Sequence, residues 1–194
     1  MPTINRDSLM SLEAYAKARP EFRRRVLAHK KLRTVHLGEH VTLLFEDELT
    51  IRYQIQEMLR IERTFEEEGI RDELDAYNPL VPDGSNLKAT MLIEYENVDE
   101  RKAALAKMTG IERYVFVEIE RFPRVVAIAD EDLPRSTDEK TAAVHFLRFE
   151  LTHDMVAALK RGARLGMGVD DPAYSASISE IPKETRDALV ADLA

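Results

Sequence analysis

Five histidines, His29, His36, His40, His145 and His153, stand in a chain without cysteine. Any transition-metal site must therefore be led by imidazole and completed by carboxylates. His36 and His40 flank Gly38-Glu39 in a run, 34–45, that reads as two short strands around a turn. A two-residue turn there pairs His36 with Val41 and Leu37 with His40. Paired residues share a face and neighbours alternate, so the two imidazoles point to opposite faces. Joint ligation needs a longer turn or a bulge. His145, Arg148 and Glu150 lie in the run Val144-His-Phe-Leu-Arg-Phe-Glu150, apolar on both faces and so expected to be a central strand. By parity His145 points one way and Arg148 and Glu150 the other. That Arg–Glu pair is either a structural lock or the floor of an anion or carboxylate site.

Glu62 falls near the apolar stripe of a long helix, seven residues after Ile55, four after Met58 and three before Phe65. A carboxylate there pairs with an arginine, ligates a metal, or sits at the edge of the stripe and reaches water. Glu57 with Arg60, Glu48 with Arg52 and Arg63 with Glu67 have the spacing of ordinary surface pairs. The two-helix Glu-x-x-His pattern of di-iron bundles is not met, and His-Glu-x-x-His and Gly-x-Ser-x-Gly are missing. So are the phosphate-binding loop and the glycine-rich turn of a dinucleotide fold.

The elements that carry these residues start with a helix from residue 7 or 8 to about 18, bearing Leu9, Leu12 and Ala16. Pro20 then opens a second helix to about 32. After the hairpin at 34–45, the longest helical signal runs from 47 or 48 to 68, with Gly69 as its cap and Ile51, Ile55, Met58, Ile61 and Phe65 as its stripe. A short helix at 70–77 and a loop at 78–86, the best internal boundary, follow. Beyond it the sequence predicts a strand at 87–95, a helix at 99–108, a hairpin of 114–120 with 124–129 and a polar loop at 130–140. A strand at 141–151, a helix at 153–161 capped by Thr152 and a strand at 164–169 complete the pattern, and the tail 175–194 ends in a helix opened by Pro182. This is an α+β arrangement: N-terminal helices and a long spine helix packed on a mainly antiparallel sheet, read as a single domain over 1–194.

Composition limits the chemistry further. The chain has 194 residues, 44% hydrophobic and 33% charged, with 7 Gly and 8 Pro, which is the make-up of a folded domain. Zero cysteines excludes disulfide scaffolds, thiolate zinc sites, cysteine nucleophiles and a self-contained iron–sulfur cluster. The N-terminus lacks the apolar core of a signal peptide and no run approaches a membrane span, so the expected location is the cytoplasm. The net charge of −8 divides into +6 on residues 1–33, with nine Lys/Arg against three Asp/Glu, and −14 on the rest. A basic helical segment docked on an acidic body is the economical explanation. Binding of nucleic acid through 17–33 is the weaker one, because Arg23-Arg24-Arg25 fan around a helix and form no single stripe.

Several strings carry a resemblance: Leu9-Met-Ser-Leu-Glu-x-Tyr15, Arg33-Thr-Val-His-Leu-Gly38, Phe45-Glu46 and Ile51-x-Tyr-Gln-Ile-Gln-Glu-Met-Leu-Arg-Ile-Glu62. Glu73-Leu-Asp-Ala-Tyr-Asn-Pro-Leu80, Asn86-Leu-Lys-Ala-Thr90, Ala127-Ile-Ala-Asp130 and Val144–Glu150 continue it. Over about residues 4–174 the chain resembles a bacterial family known only as a domain of unknown function. Members of that family are often encoded beside rubrerythrin-like proteins and iron–sulfur proteins of the heterodisulfide-reductase type, which implies a link to peroxide handling or electron transfer. The resemblance nominates ten residues as motif members and carries no role to any of them; by residue type, Tyr53, Gln54, Glu57, Arg60, Arg148 and Glu150 are the ligand-binding candidates, and His36, Glu46, Glu62 and His145 the metal-binding ones. Two expectations follow. The first is an accessory protein without a tightly bound cofactor, assisting a peroxide-detoxification or iron–sulfur electron-transfer system by binding a rubrerythrin-like or iron–sulfur partner. The second is a metal- or small-ligand-binding protein, or an enzyme, that uses His and Glu side chains around the spine helix, with a divalent transition metal held by His and carboxylate as its cofactor in the metal-binding form. A homodimer through an unpaired sheet edge is a further expectation.

Overall fold

A computed structural model of the chain describes residues 4–137 and 139–194. The first three residues of the N-terminal reading, and residue 138 of the polar loop, lie outside the described residues.

After a short 3-10 turn at Arg6–Ser8, helix α1 spans Leu12–Lys31, capped by the Ser11 side chain. The two helices expected around Pro20 are thus one. Pro20 lacks the N–H that would bond the preceding turn, which costs about 3 kcal/mol in a helix interior. Tyr15, Phe22 and Val26 offset it: they share one stripe, are buried, and pack with Leu49 and Tyr53 of the next helix. A continuous helix is what keeps that stripe in register.

Strands β1 (Thr34–Leu37) and β2 (Val41–Phe45) pair with Leu37 opposite Val41 and His36 opposite Thr42. The turn between them has three residues rather than the expected two, which moves the register by one. Gly38 has φ +72°, and a Cβ on it would lie 2.5 Å from the Tyr174 hydroxyl, so glycine is required by conformation and by close approach. Helix α2 (Glu48–Glu62) starts at Asp47, whose side chain accepts from the Thr50 N–H while Thr50 bonds back to Asp47.

The spine helix does not reach residue 68. It ends at Arg63 in the left-handed region (φ 56°), and helix α3 (Glu67–Tyr77) turns back beside it. The reason lies in the core. Ile70 and Leu74 of α3 join Ile51, Ile55 and Leu59 of α2 in one buried cluster, which a straight continuation would have pulled apart. Gly69, expected as the cap, instead sits inside α3, where a Cβ would meet Thr64 Cγ2 at 2.5 Å. Ile61 and Phe65, expected on the buried stripe, are exposed.

A 3-10 turn at Asn78–Leu80 leads to β3 (Asn86–Ile93), then α4 (Val98–Lys107), a 3-10 turn at Ile111–Tyr114 and β4 (Val115–Ile119). The segment expected to be the second arm of a hairpin divides. β5 (Val125–Val126) pairs with β4, whereas β6 (Ile128–Ala129) crosses to pair with β7 (Val144–Glu150). Helix α5 (His153–Lys160) is capped by Thr152, and β8 (Leu165–Asp171), β9 (Tyr174–Ile178) and α6 (Lys183–Val190) close the described chain. The tail expected to be helical therefore includes a strand.

All pairings are antiparallel, in a five-stranded sheet of order β1-β2-β3-β7-β6 and a four-stranded sheet of order β5-β4-β8-β9. The inner faces share one core, with Leu37, Leu43, Phe45, Met91 and Phe149 on one side and Val115, Val117, Leu165, Met167 and Val169 on the other. The α+β class holds, with two sheets in place of one. No helix of the described residues is long and apolar enough to cross a membrane.

The basic segment docks on the rest of the chain. Arg19 forks onto Glu57, Arg6 reaches Glu67, and Arg33 is buried with its guanidinium donating to the carbonyls of Phe45, Glu46 and Ala188 and to Asp192.

Candidate functional site

Alternation along β3 and β7 sends Leu87, Ala89, Met91, Leu147 and Phe149 into the inter-sheet core. It leaves Lys88 and Thr90 on the outer face of the sheet, paired across the strands with Arg148 and Phe146. Helix α3 and the turn after it lie across this face without filling it. Between Ala76, Pro79 and Leu80 on one side and Thr90, Phe146 and Arg148 on the other is a cavity of ≈ 330 Å³. Glu46 reaches it from the end of β2, and Glu131 and Asp132 wall it from the loop after β6.

The polar groups of the groove are held in place. Glu46 is buried and accepts from Thr90 Oγ1 at 2.7 Å and from the Thr50 hydroxyl of α2. Each of its oxygens keeps a free lone pair for a further donor. Lys88 donates to the carbonyls of Pro79 at 2.7 Å and Val81 at 3.0 Å, which ties the turn after α3 to the sheet. Burial, joined by the Arg148 charge, pulls the Lys88 ammonium below its usual range against the opposing pull of Asp83. Arg148 forks onto Glu131, with both bonds at 2.8 Å, and its third nitrogen meets Glu150. The hydrogen bonds to Arg148 hold the Glu131 carboxyl low. The groove thus offers an apolar floor, a buried carboxylate at one end and a fixed ion-paired wall. That suits a small amphipathic molecule with a hydrogen-bond donor.

Glu46, Arg148 and Glu150 are the sequence candidates gathered at or beside the groove; Glu150 also accepts from Ser85 and Asn86. Tyr53, Gln54, Glu57 and Arg60 lie on α2 away from it. Glu57 accepts from the Tyr15 hydroxyl at 2.7 Å and from Arg19 at 2.7 and 2.8 Å, while Tyr53 packs against Phe22 under Lys30. The hydrogen bonds from Arg19 first, and from Tyr15 and Arg60, lower the Glu57 carboxyl to about 2.

The metal candidates are not brought together. His36 is exposed on β1, with Nδ1 3.0 Å from Thr42 Oγ1. His40 lies in the turn, stacked on Tyr95. Glu62 is exposed at the end of α2, and Glu46 belongs to the groove. His145 is fully buried on the inner side of β7, beside Asp130 and Glu112. Parity placed His145 and Arg148 on opposite faces, as observed. Lys88 and Thr90 were legible only as the alternate positions of Asn86-Leu-Lys-Ala-Thr90, and Asp130 as the end of Ala127-Ile-Ala-Asp130. Glu112 follows Gly110 and Ile111 with no signal of its own.

No curated protein matches the chain. A crystal structure from Burkholderia pseudomallei, described as a novel protein of unknown function, is 58% identical, with a TM-score of 0.95 and all of both chains covered. Residues 3–193 match the family described as "Protein of unknown function (DUF3501)", and the chain belongs to that family.

Proposed function

We propose that the chain binds a small amphipathic molecule in the groove on the outer face of the five-stranded sheet. One observation carries this reading. Strings of sequence far apart in the chain, Phe45-Glu46, Glu73–Leu80, Asn86–Thr90 and Val144–Glu150, all contribute to a single ≈ 330 Å³ cavity. The ligand's apolar body lies against Phe146, Leu80 and Ala76, and its hydroxyl or amine donates to Glu46. Lys88, Arg148 and Glu131 fix the walls.

A cavity-filling variant tests it. Ala76 lines the groove from an exposed helix position, so Ala76→Phe occupies the space without disturbing a buried core. Phenols, benzylamines and aliphatic amino alcohols are screened by thermal shift against the natural chain. At least one class raises the midpoint in a saturable way, and Ala76→Phe abolishes the rise. Equal shifts in both proteins, or none in either, remove the reading.

The resemblance also implies an accessory role, exercised by binding a protein partner. A chain with no cysteine holds no thiolate-bound cluster, so in a peroxide or electron-transfer system it would act through what it binds. Recovery of a rubrerythrin-like or iron–sulfur protein in pull-downs under peroxide supports that role. No such partner, together with unchanged peroxide tolerance on deletion, removes it.

A further inference from the structure

The geometry points to a divalent-cation site at Glu112, Asp130 and His145, on the inner side of β7 and separate from the groove. The three side chains come from the 3-10 turn at Ile111–Tyr114, the residue that follows β6, and β7, and their ligand atoms lie within 4.8 Å of one another. Their side-chain exposures are 5%, 7% and 0%.

The hydrogen bonds around the cluster decide what must stand at its centre. Ser136 Oγ donates to Glu112 Oε2 at 3.0 Å, so its other bond, 2.8 Å to Thr141 Oγ1, is one it accepts. The Thr141 proton is then committed to Ser136. The 2.8 Å bond between Thr141 Oγ1 and His145 Nε2 is consequently donated by the imidazole. The Ala142 carbonyl, 3.1 Å from the same nitrogen, can only accept and agrees. With its hydrogen on Nε2, His145 turns Nδ1 toward Asp130 Oδ2 at 2.6 Å and Glu112 Oε2 at 3.9 Å. A bare lone pair facing two carboxylates is untenable, so a positive charge belongs there.

A proton on Nδ1 serves only Asp130, because 3.9 Å to Glu112 is beyond a hydrogen bond. A metal ion serves all three. Bonds of about 2.0–2.2 Å set its donors about 3 Å apart, between the two separations found here. Arg135 and Arg113 stand at the other carboxylate oxygens, Asp130 Oδ1 and Glu112 Oε1, and leave Oδ2 and Oε2 directed at Nδ1. The Nε2–H held by Thr141 and Ala142 is the outer bond that orients a metal-binding imidazole. One nitrogen and two carboxylate oxygens suit Mn2+, Fe2+ or Zn2+. Asp130 is followed directly by Glu131 and Asp132, so the ion would also fasten one wall of the groove.

The test uses the full chain stripped with a chelator and then titrated with Mn2+, followed by electron paramagnetic resonance, and with Zn2+, followed by calorimetry. One cation binds per chain, the thermal midpoint rises with cation concentration, and Glu112→Gln weakens binding by at least about tenfold with its circular dichroism unchanged. Glu46→Gln, in the groove, leaves cation binding as it was. Absence of saturable binding to the natural chain overturns the proposal even if Glu112→Gln fails to fold. Undiminished binding by a folded Glu112→Gln does so as well. So does a nitrogen NMR spectrum showing His145 protonated on both nitrogens in the presence of excess cation.

Discussion

Glu57 joins α1 to α2 through a carboxylate that accepts from Tyr15, Arg19 and Arg60. Its carboxyl, lowered from 4.5 to about 2, titrates below the unfolded chain's, so the stabilisation is present above about pH 4.5 and fades as the pH falls toward 2. Glu57→Gln is expected to cost about 1–3 kcal/mol at neutral pH, and urea midpoints should converge with those of the natural chain near pH 2. A difference that persists unchanged at low pH would contradict that role. At this scale the sequence was legible where one period governs: alternation along Val144–Glu150 separates His145 from Arg148 without any knowledge of the fold. It was not legible for Glu57, which reads as a surface partner of Arg60 until Tyr15 and Arg19 arrive from another helix. The same holds for Glu112, whose neighbours Ser136 and Asp130 are distant in sequence.

Among the elements, α1 runs through Pro20 because Tyr15, Phe22 and Val26 are buried together on α2. Pro20→Ala restores the missing N–H, and after the extra freedom it gives the unfolded chain should stabilise the protein by about 1–2 kcal/mol. The urea midpoint should rise with unchanged slope; a fall would mean that the proline shapes the helix in a way the packing needs. Local signals placed the Asp47 and Thr152 caps and the helix opened after Pro182, because a cap depends on its own few residues. They failed at the end of α2. There the apolar positions continue to Phe65, but the core they would join is closed by Ile70 and Leu74 returning on α3. They failed again at residues 125–129, where five residues serve two sheets, a choice made by partners rather than by propensity.

In the whole molecule, Arg33 ties distant parts of the chain together. It is 1% exposed, and its guanidinium bonds the end of β2 at Phe45 and Glu46, the C-terminal helix at Ala188 and Asp192 in the turn after that helix, with Asp47 3.5 Å away. Burial raises the Asp192 carboxyl despite this partner, whereas at Asp47 the Arg33 charge and the cap hydrogen bonds outweigh burial and lower it. Arg33→Met strands these acceptors and is expected to cost about 3–5 kcal/mol, with hydrogen exchange rising first in α6. Exchange that rises uniformly would deny the clamp. Such a clamp was invisible in sequence, since nothing in Arg33-Thr-Val-His-Leu-Gly38 announces a partner some 160 residues away.

The groove is a consequence of that assembly, because α3, the end of β2, β3, the loop after β6 and β7 meet in it only when the helices are packed on the five-stranded sheet. The most direct test of its role is a ligand titration of the isotopically labelled chain by NMR, using the class of small amphipathic donor that gives a saturable thermal shift. A ligand-binding groove predicts saturable shifts concentrated at Ala76, Leu80, Thr90, Phe146 and Arg148, lost in Ala76→Phe. Shifts that fail to saturate, or that spread over the surface and leave Thr90 and Phe146 unmoved, would contradict it.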